Sequence, residues 1–177
     1  MKFRILLLLL ISYTANAQRR EHITDEKQII KIGTNPKIAL TGAYDYSDRG
    51  SYSQTLSWVT EFSSGNQFGI AFEYTELNPY FFTAGFIYNY NINVLNSSWV
   101  ETRVGGELLY LQRGKAYRNA PVEFITGGIN GIIDFNVSEL IVIGLRANYK
   151  YRPDTIKIWD GQKTSWGGFL EIGFKFK

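Results

Sequence analysis

The sequence predicts an all-β fold in which eight antiparallel strands run up and down and close into a transmembrane β-barrel. Hydrophobic residues alternate with small or polar ones along most of the chain, which is the period of a β-strand. Aromatic residues make up 16% of the sequence, and 17 glycines stand against 4 prolines, a composition that suits bent strands better than helices. The final alternating stretch, 164–176, ends on the aromatic residue Phe176.

The first 17 residues have the parts of a secretion signal. Lys2 and Arg4 precede the apolar run 5–11, and the small residues of 15–17 form a cleavage site before Gln18. The apolar run is shorter than the roughly 20 residues of a membrane-spanning helix, so we favour a signal peptide at 1–17 over an N-terminal anchor. Its removal lowers the formal net charge from +3 to +1, which gives no argument for a nucleic-acid partner.

Residues 18–36 are polar and show no sustained alternation, although a short strand or helical turn could occupy 28–32. We therefore predict a periplasmic N-terminal segment at 18–36 and the barrel at 37–177. The chain contains no cysteine, which excludes disulfides and thiol chemistry.

Eight alternating segments follow, separated by stretches rich in Gly, Asn, Ser, Asp or Pro. Their approximate ranges are 37–46, 52–63, 68–75, 80–92, 99–111, 121–136, 141–152 and 164–176. A tilted membrane strand needs about 9 to 11 residues to cross the hydrocarbon. With both ends in the periplasm, the long connections after the fifth and seventh segments fall outside the cell, as is usual for membrane barrels.

Alternation alone does not tell which face of the barrel is apolar. A soluble lipocalin-like barrel also has eight strands, with its apolar face inside. Here the apolar face carries many large rings, such as Phe72, Phe82, Phe86 and Trp58, which would overpack so small an interior. The opposite face is rich in small residues, so we predict that the aromatic face contacts lipid.

Acidic and basic residues share the small-residue face, and buried charges persist only when paired. The sequence therefore predicts an interior ion-pair network. Its members are Glu61, Glu73, Glu101, Arg103, Glu107, Asp134, Arg146, Lys150 and Glu171, with Lys175 on the same face.

The sequence offers no catalytic, cofactor-binding or metal site. His22 is the one histidine and lies in the polar segment 18–36. The barrel strands therefore have no histidine for a Ser-His-Asp triad, and the chain has too few His and Cys side chains for a zinc site. Interior carboxylates such as Glu101 and Glu107 could do acid-base work, but ion pairing with Arg103 or Lys150 is favoured over it. No cofactor is expected, and the protein is predicted not to be an enzyme.

The signal peptide, the strand pattern and the terminal aromatic resemble the small OmpA/OmpX-like outer-membrane barrels and the outer membrane protein beta-barrel domain families of Bacteroidota. This resemblance implies the outer membrane of a Gram-negative cell, with lipid and lipopolysaccharide as surroundings. It also implies that the barrel assembly machinery reads Phe174 and Phe176 as an insertion signal. The basic stretch 113–118 suggests lipopolysaccharide contacts at Arg113, Lys115 and Arg118, and a solvated loop is the alternative.

The predicted function is a non-enzymatic outer-membrane barrel with a plugged interior and a structural or surface-interaction role. A narrow porin-like channel for ions or small solutes is one alternative. A secreted soluble barrel that binds a hydrophobic ligand is another. The sequence names no ligand, protein partner or oligomeric state.

Overall fold

The structure is a computed structural model, and it describes residues 26–41, 51–76, 80–92, 94, 97–114, 122–153 and 163–177. The predicted signal peptide, His22, Lys115 and Arg118 lie outside these ranges. In the described part of the chain, no helix is long and apolar enough to cross a membrane.

Eight antiparallel strands close into one barrel in which sequence neighbours pair and the last strand pairs with the first, confirming the predicted fold class. The strands are β1 (Lys27–Thr34), β2 (Ser53–Glu61), β3 (Gln67–Thr75), β4 (Phe81–Asn91), β5 (Val100–Arg113), β6 (Glu123–Asn136), β7 (Ile141–Tyr151) and β8 (Thr164–Phe176). One short helix, α1 (Pro36–Thr41), follows β1 and lies against β8.

The first strand differs from the prediction. The barrel begins at Lys27 in β1, inside the segment predicted to be periplasmic, and the predicted strand at 37–46 is wrong because 36–41 form α1. Residues 42–46 lie outside the described residues. β1 joins β2 and β8 on its two edges, so closure of the barrel depends on this stretch.

Local chemistry ends β1 where the helix starts. Pro36 has no backbone N–H for a ladder bond and suits the first position of a helix. The side-chain oxygen of Asn35 accepts hydrogen bonds from the backbone N–H groups of Lys37 and Ile38, at 3.1 and 3.4 Å, as a helix N-cap does. Ile38 and Leu40, the first apolar residues of the alternating pattern, therefore lie in a helix.

The other seven strands have the predicted inward and outward faces. Along β3, for example, Phe68 and Tyr74 are exposed on the outside while Ala71 and Glu73 are buried. The outward face carries exposed large apolar side chains on every strand, among them Ile32, Trp58, Tyr88, Leu108, Ile129, Leu145 and Ile172. The inside is a mixture of charged and amide side chains and apolar groups, among them a small cluster of Ile29, Val59, Ala71, Ile87 and Val142.

The two ends of the barrel differ in their connections. We call the end with the connections 62–66, 92–99 and 137–140 the turn end, and the end with 35–52, 76–80, 114–122 and 152–163 the loop end. At the turn end, Gly65 adopts a left-handed backbone with a φ of 77° and donates a hydrogen bond of 2.8 Å to the carbonyl of Phe62. A residue with a side chain rarely adopts this conformation, so the tight connection after β2 needs glycine there.

Candidate functional site: the charged interior of the barrel

Arg103 is the centre of the ion pairs near the turn end. It projects inward from β5, is 1% exposed, and its guanidinium lies 2.7 Å from Glu61 and 2.6 Å from Asp134. It also pairs with the carboxylate of Glu101, and its Nε donates to the carbonyl of Gly65 at 2.9 Å. One planar fork thus connects β2, β5, β6 and the turn after β2, a geometry that lysine cannot reproduce.

Lys31 completes this cluster from β1. Its Nζ donates to both carboxylate oxygens of Asp134, at 2.7 and 2.6 Å, and both residues are almost fully buried. Asp134 therefore holds a lysine and an arginine together. Lys31 is absent from the predicted interior residues because its segment is predicted to be periplasmic. The alternation of Ile30 and Ile32 is the signal that places it on a strand.

Two further groups of ion pairs are centred on Arg146 and Lys150. Arg146 Nε is 3.1 Å from Glu171 Oε1, and its guanidinium carbon lies 5.1 Å from the centroid of the Phe169 ring. Lys150 pairs with Glu73 and stands 3.4 Å from Glu107. The structure thus brings the predicted interior residues into several groups along the barrel instead of one connected cluster.

Apolar groups and two arginines occupy the interior at the loop end. Phe81 and Leu111 form a buried pair, and Phe124 packs against this pair. The guanidinium carbon of Arg152 lies 4.4 Å from the Phe81 ring centroid. Arg113 is the last residue of β5 and is 2% exposed, with its side chain inside the barrel. The predicted lipopolysaccharide contact at Arg113 is therefore wrong, because the strand continues past the predicted loop boundary and turns this side chain inward.

The interior charges described by the structure are nearly balanced. The six predicted acids face four predicted bases and three more, Lys31, Arg113 and Arg152. Lys175, near the turn end, donates a hydrogen bond of 2.6 Å to Asn136 instead of pairing with an acid. Since an unpaired buried charge is strongly unfavourable, balance of this kind is what allows so many ionised groups inside a narrow barrel.

Glycines in the strands leave room for the polar side chains of the network. A Cβ added at Gly105 would lie 2.3 Å from the Asn89 side-chain oxygen, and one at Gly128 would lie 2.8 Å from a Glu107 oxygen. At Gly144 the same atom would approach Asp134 to 2.7 Å. These approaches are closer than van der Waals contact, so the polar side chains fill the volume that the missing methyl groups leave.

The middle of the interior is less completely paired. Neither side-chain polar atom of Asn130, nor the Nδ2 of Asn148, nor the hydroxyl of Thr55 has a hydrogen-bond partner in the described protein, although all three residues are buried. Buried polar atoms of this kind are usually satisfied by water. Asn130 and Asn148 face each other on β6 and β7, between Asp134 of the Arg103 cluster and Lys150, and Thr55 is paired with Glu73 in the register of β2 and β3.

Charge pairing is the chemistry that the described interior side chains show. Among the described residues, no group of three or more His, Cys, Asp or Glu side chains is placed to hold a metal ion. The carboxylates proposed for acid-base work in the sequence analysis, such as Glu107, lie inside the ion-pair groups.

The outer face has aromatic residues concentrated at both ends. Tyr149 and Trp166 pack at a centroid distance of 4.5 Å near the loop end, and Trp99 and Phe135 pack at 6.4 Å at the turn end. Outward-facing rings near the loop end also include Tyr52, Tyr74, Tyr80, Tyr110 and Tyr151. An apolar band flanked by two aromatic girdles is typical of a barrel that sits in a membrane.

The charged interior and apolar exterior define a membrane-type eight-stranded barrel, and comparison with solved structures agrees. The N-terminal β-barrel domain of Pseudomonas aeruginosa OprF matches with a TM-score of 0.59 and 11% identity, covering 86% of this chain and 98% of the other. Neisserial surface protein A, NspA, matches with a TM-score of 0.53 and 12% identity, covering 86% and 96%. Both are OmpA-like small outer-membrane barrels. At such identities the likeness shows the fold alone, and comparison with protein-family models and curated proteins finds no match.

Proposed function

We propose that the protein is an integral outer-membrane β-barrel of a Gram-negative cell. The observation that carries this proposal is the inverted polarity of the barrel. Trp166, Ile125 and Ile129 are 74%, 65% and 64% exposed on the outside, while Arg103 and Glu171 are 1% exposed inside. A water-soluble barrel would bury the first group, whereas lipid favours this distribution because each large apolar side chain faces hydrocarbon.

We further propose that the loop end faces outward from the cell and the turn end faces the periplasm. Membrane barrels have short periplasmic turns and longer extracellular loops. The connections 62–66 and 137–140 are short, while 35–52 and 152–163 are long, which supports this orientation.

The role we propose is structural or surface-interacting, without enzymatic activity. The interior of an eight-stranded barrel is just wide enough to be filled by side chains. Here the Arg103 cluster, the Lys150 pairs and the Phe81 contacts occupy it in turn from one end to the other. This supports a plugged interior.

A folding assay tests the membrane assignment. The chain from Gln18 onward is refolded in detergent and run on a gel unheated and boiled. A closed barrel keeps its hydrogen-bonded shape in mild SDS, so we expect the two samples to migrate differently. Absence of a shift, in a protein that stays dissolved after detergent removal, would favour the secreted soluble barrel.

A narrow channel is the second candidate, and the unpaired polar atoms of Asn130, Asn148 and Thr55 favour it, because water that satisfies them would begin a continuous path. Single-channel recording in planar bilayers separates the two. A plugged barrel gives no stable unitary steps. Steps in the wild type that Arg103→Ala or Arg146→Ala enlarges or abolishes, and that the lipid-facing variant Leu108→Ala leaves unchanged, would establish the channel.

We also propose that the assembly machinery reads Phe174 and Phe176. Both project outward from β8 and are 51% and 40% exposed in the folded barrel, so replacing either removes no packing from the interior. Phe176→Ala should slow assembly in cells while leaving detergent refolding unchanged; equal assembly rates would remove this role.

Lipopolysaccharide contact at Lys115 and Arg118 stays a proposal that rests on their positive charge.

A further inference from the structure

A groove crosses the outer face of the barrel over β5 to β8. Its floor is formed where Gly131, Ala147 and Gly168 stand side by side on three neighbouring strands. All three are on the outward face, and Val104 of β5 pairs with Gly131 and extends the row. Because these side chains are small or absent, the surface is hollow here.

Larger apolar side chains form the wall of the groove on the side of the turn end. Ile133, Leu145 and Leu170 lie on the same three strands, one outward position closer to the turn end. The groove encloses about 820 Å³, within the roughly 300 to 1,000 Å³ that small-molecule sites have. Its exposed lining is apolar except at one end.

The ends of the groove differ in chemistry. Towards the turn end it is lined by the apolar residues Ile92 and Val94. Towards the loop end it reaches Pro36 and Lys37 of α1, the helix that lies against β8. Lys37 is exposed, so a cation stands at the end of the groove that we place in the outer leaflet.

We propose that this groove binds one acyl chain of a phosphate-bearing outer-leaflet lipid, with Lys37 at the phosphate. The proposal rests on the proposed function, since the groove must face the bilayer. A linear, apolar and flexible acyl chain fits the apolar length of the groove. At the cationic end of the groove, the Lys37 ammonium can form a charge-assisted hydrogen bond with the lipid phosphate.

A second copy of the chain fits the groove less well. Most soluble dimers have two-fold symmetry, in which the same surface patch of each subunit meets the other. In that arrangement two hollows would face each other over the glycine row, and neither would be filled. The Lys37 side chains would also gain no acidic partner from the residues that line the groove.

The glycines allow a direct test. A Cβ at Gly131 or Gly168 meets no atom within 4 Å, so leucine at either position should fill the groove without disturbing the fold. Gly106 is a matched control, because it also faces outward, its Cβ would come no closer than 3.8 Å to another atom, and it does not line the groove. The variants are Gly131→Leu, Gly168→Leu, Gly106→Leu and Lys37→Ala.

The wild type and each refolded variant are mixed in detergent with diphosphorylated lipid A or with dephosphorylated lipid A, and bound lipid is counted by native mass spectrometry. We expect one retained lipid A per barrel for the wild type and Gly106→Leu. Occupancy should fall at least tenfold in Gly131→Leu and Gly168→Leu. Lys37→Ala should weaken retention of diphosphorylated lipid A several-fold and leave that of dephosphorylated lipid A unchanged.

Equal lipid retention in all variants would overturn the groove site, and a dimer that Gly168→Leu dissociates would replace it with a barrel-barrel interface. The gel shift on heating is measured on the same samples. A variant that keeps the shift but loses the lipid supports the groove. Loss of the shift in the wild type would instead refute the membrane barrel itself. If a leucine variant does not fold, the Lys37→Ala result decides the proposal.

Discussion

Lys31 of β1 and Asp134 of β6 form an ion pair across the inside of the barrel, with 2.6 Å between Nζ and Oδ2. The two residues are 103 positions apart in the chain. Their contact exists because β1 closes the barrel against β8, and it connects the strand that the sequence analysis missed to the cluster around Arg103.

Removing Lys31 should destabilise the barrel. Lys31→Met leaves Asp134 with Arg103 as its one remaining cationic partner, and breaking a buried pair costs roughly 3 to 5 kcal/mol. Urea unfolding in lipid vesicles measures the free energy of unfolding. Lys177→Met, at an exposed position, is the control and should change it little; equal values for both variants would contradict the position of Lys31 inside the barrel.

Lysine at position 103 should replace only part of the stabilisation that Arg103 gives. Arg103→Ala leaves the buried carboxylates of Glu61 and Asp134 without this partner, so a loss of about 3 to 5 kcal/mol is expected. Arg103→Lys restores the charge but not the fork that reaches three carboxylates and the Gly65 carbonyl. We therefore expect it to recover part of the loss in the same urea assay; full recovery would show that charge alone matters.

Two glycines should respond oppositely to alanine. At Gly69 a Cβ would lie 2.0 Å from the carbonyl oxygen of Trp58 and 2.6 Å from the Cα of Val59, so β2 and β3 would have to separate. Gly69→Ala should cost about 1 to 3 kcal/mol, as overpacking usually does. Gly131→Ala has open space and should be neutral or stabilising. The fraction showing the heat-dependent gel shift and the urea midpoint report both; similar losses would contradict this packing.

Tryptophan depths should follow the barrel geometry. Trp58 lies in the middle of β2 and pairs with Ile30 and Ile70, whereas Trp99 and Trp166 lie at opposite ends. Single-tryptophan variants in vesicles with nitroxide-labelled lipids should show Trp58 quenched best by a label deep in the acyl chains. Trp99 and Trp166 should be quenched best near the headgroups. An equal depth for all three would argue against a transmembrane orientation.

Seven of the strands and the direction of their side chains follow from the local residue pattern. A period of two is a local property, and large rings cannot fit inside eight strands, so faces such as Phe72 outward and Glu73 inward followed from composition and sterics. The charges on the inward face identified a network in the same way, because a buried charge needs a partner. No long-range information was required for these steps.

Which stretch closes the ring and which charges meet depend on contacts between distant parts of the chain. Residues 37–46 alternate at least as well as 27–34, but Pro36 and the Asn35 cap begin a helix, and β1 has partners on both edges. Arg113 likewise turns inward because β5 continues to it. Amphipathicity measures a segment alone, whereas strand register and ion pairing such as Lys31 with Asp134 are properties of the closed barrel.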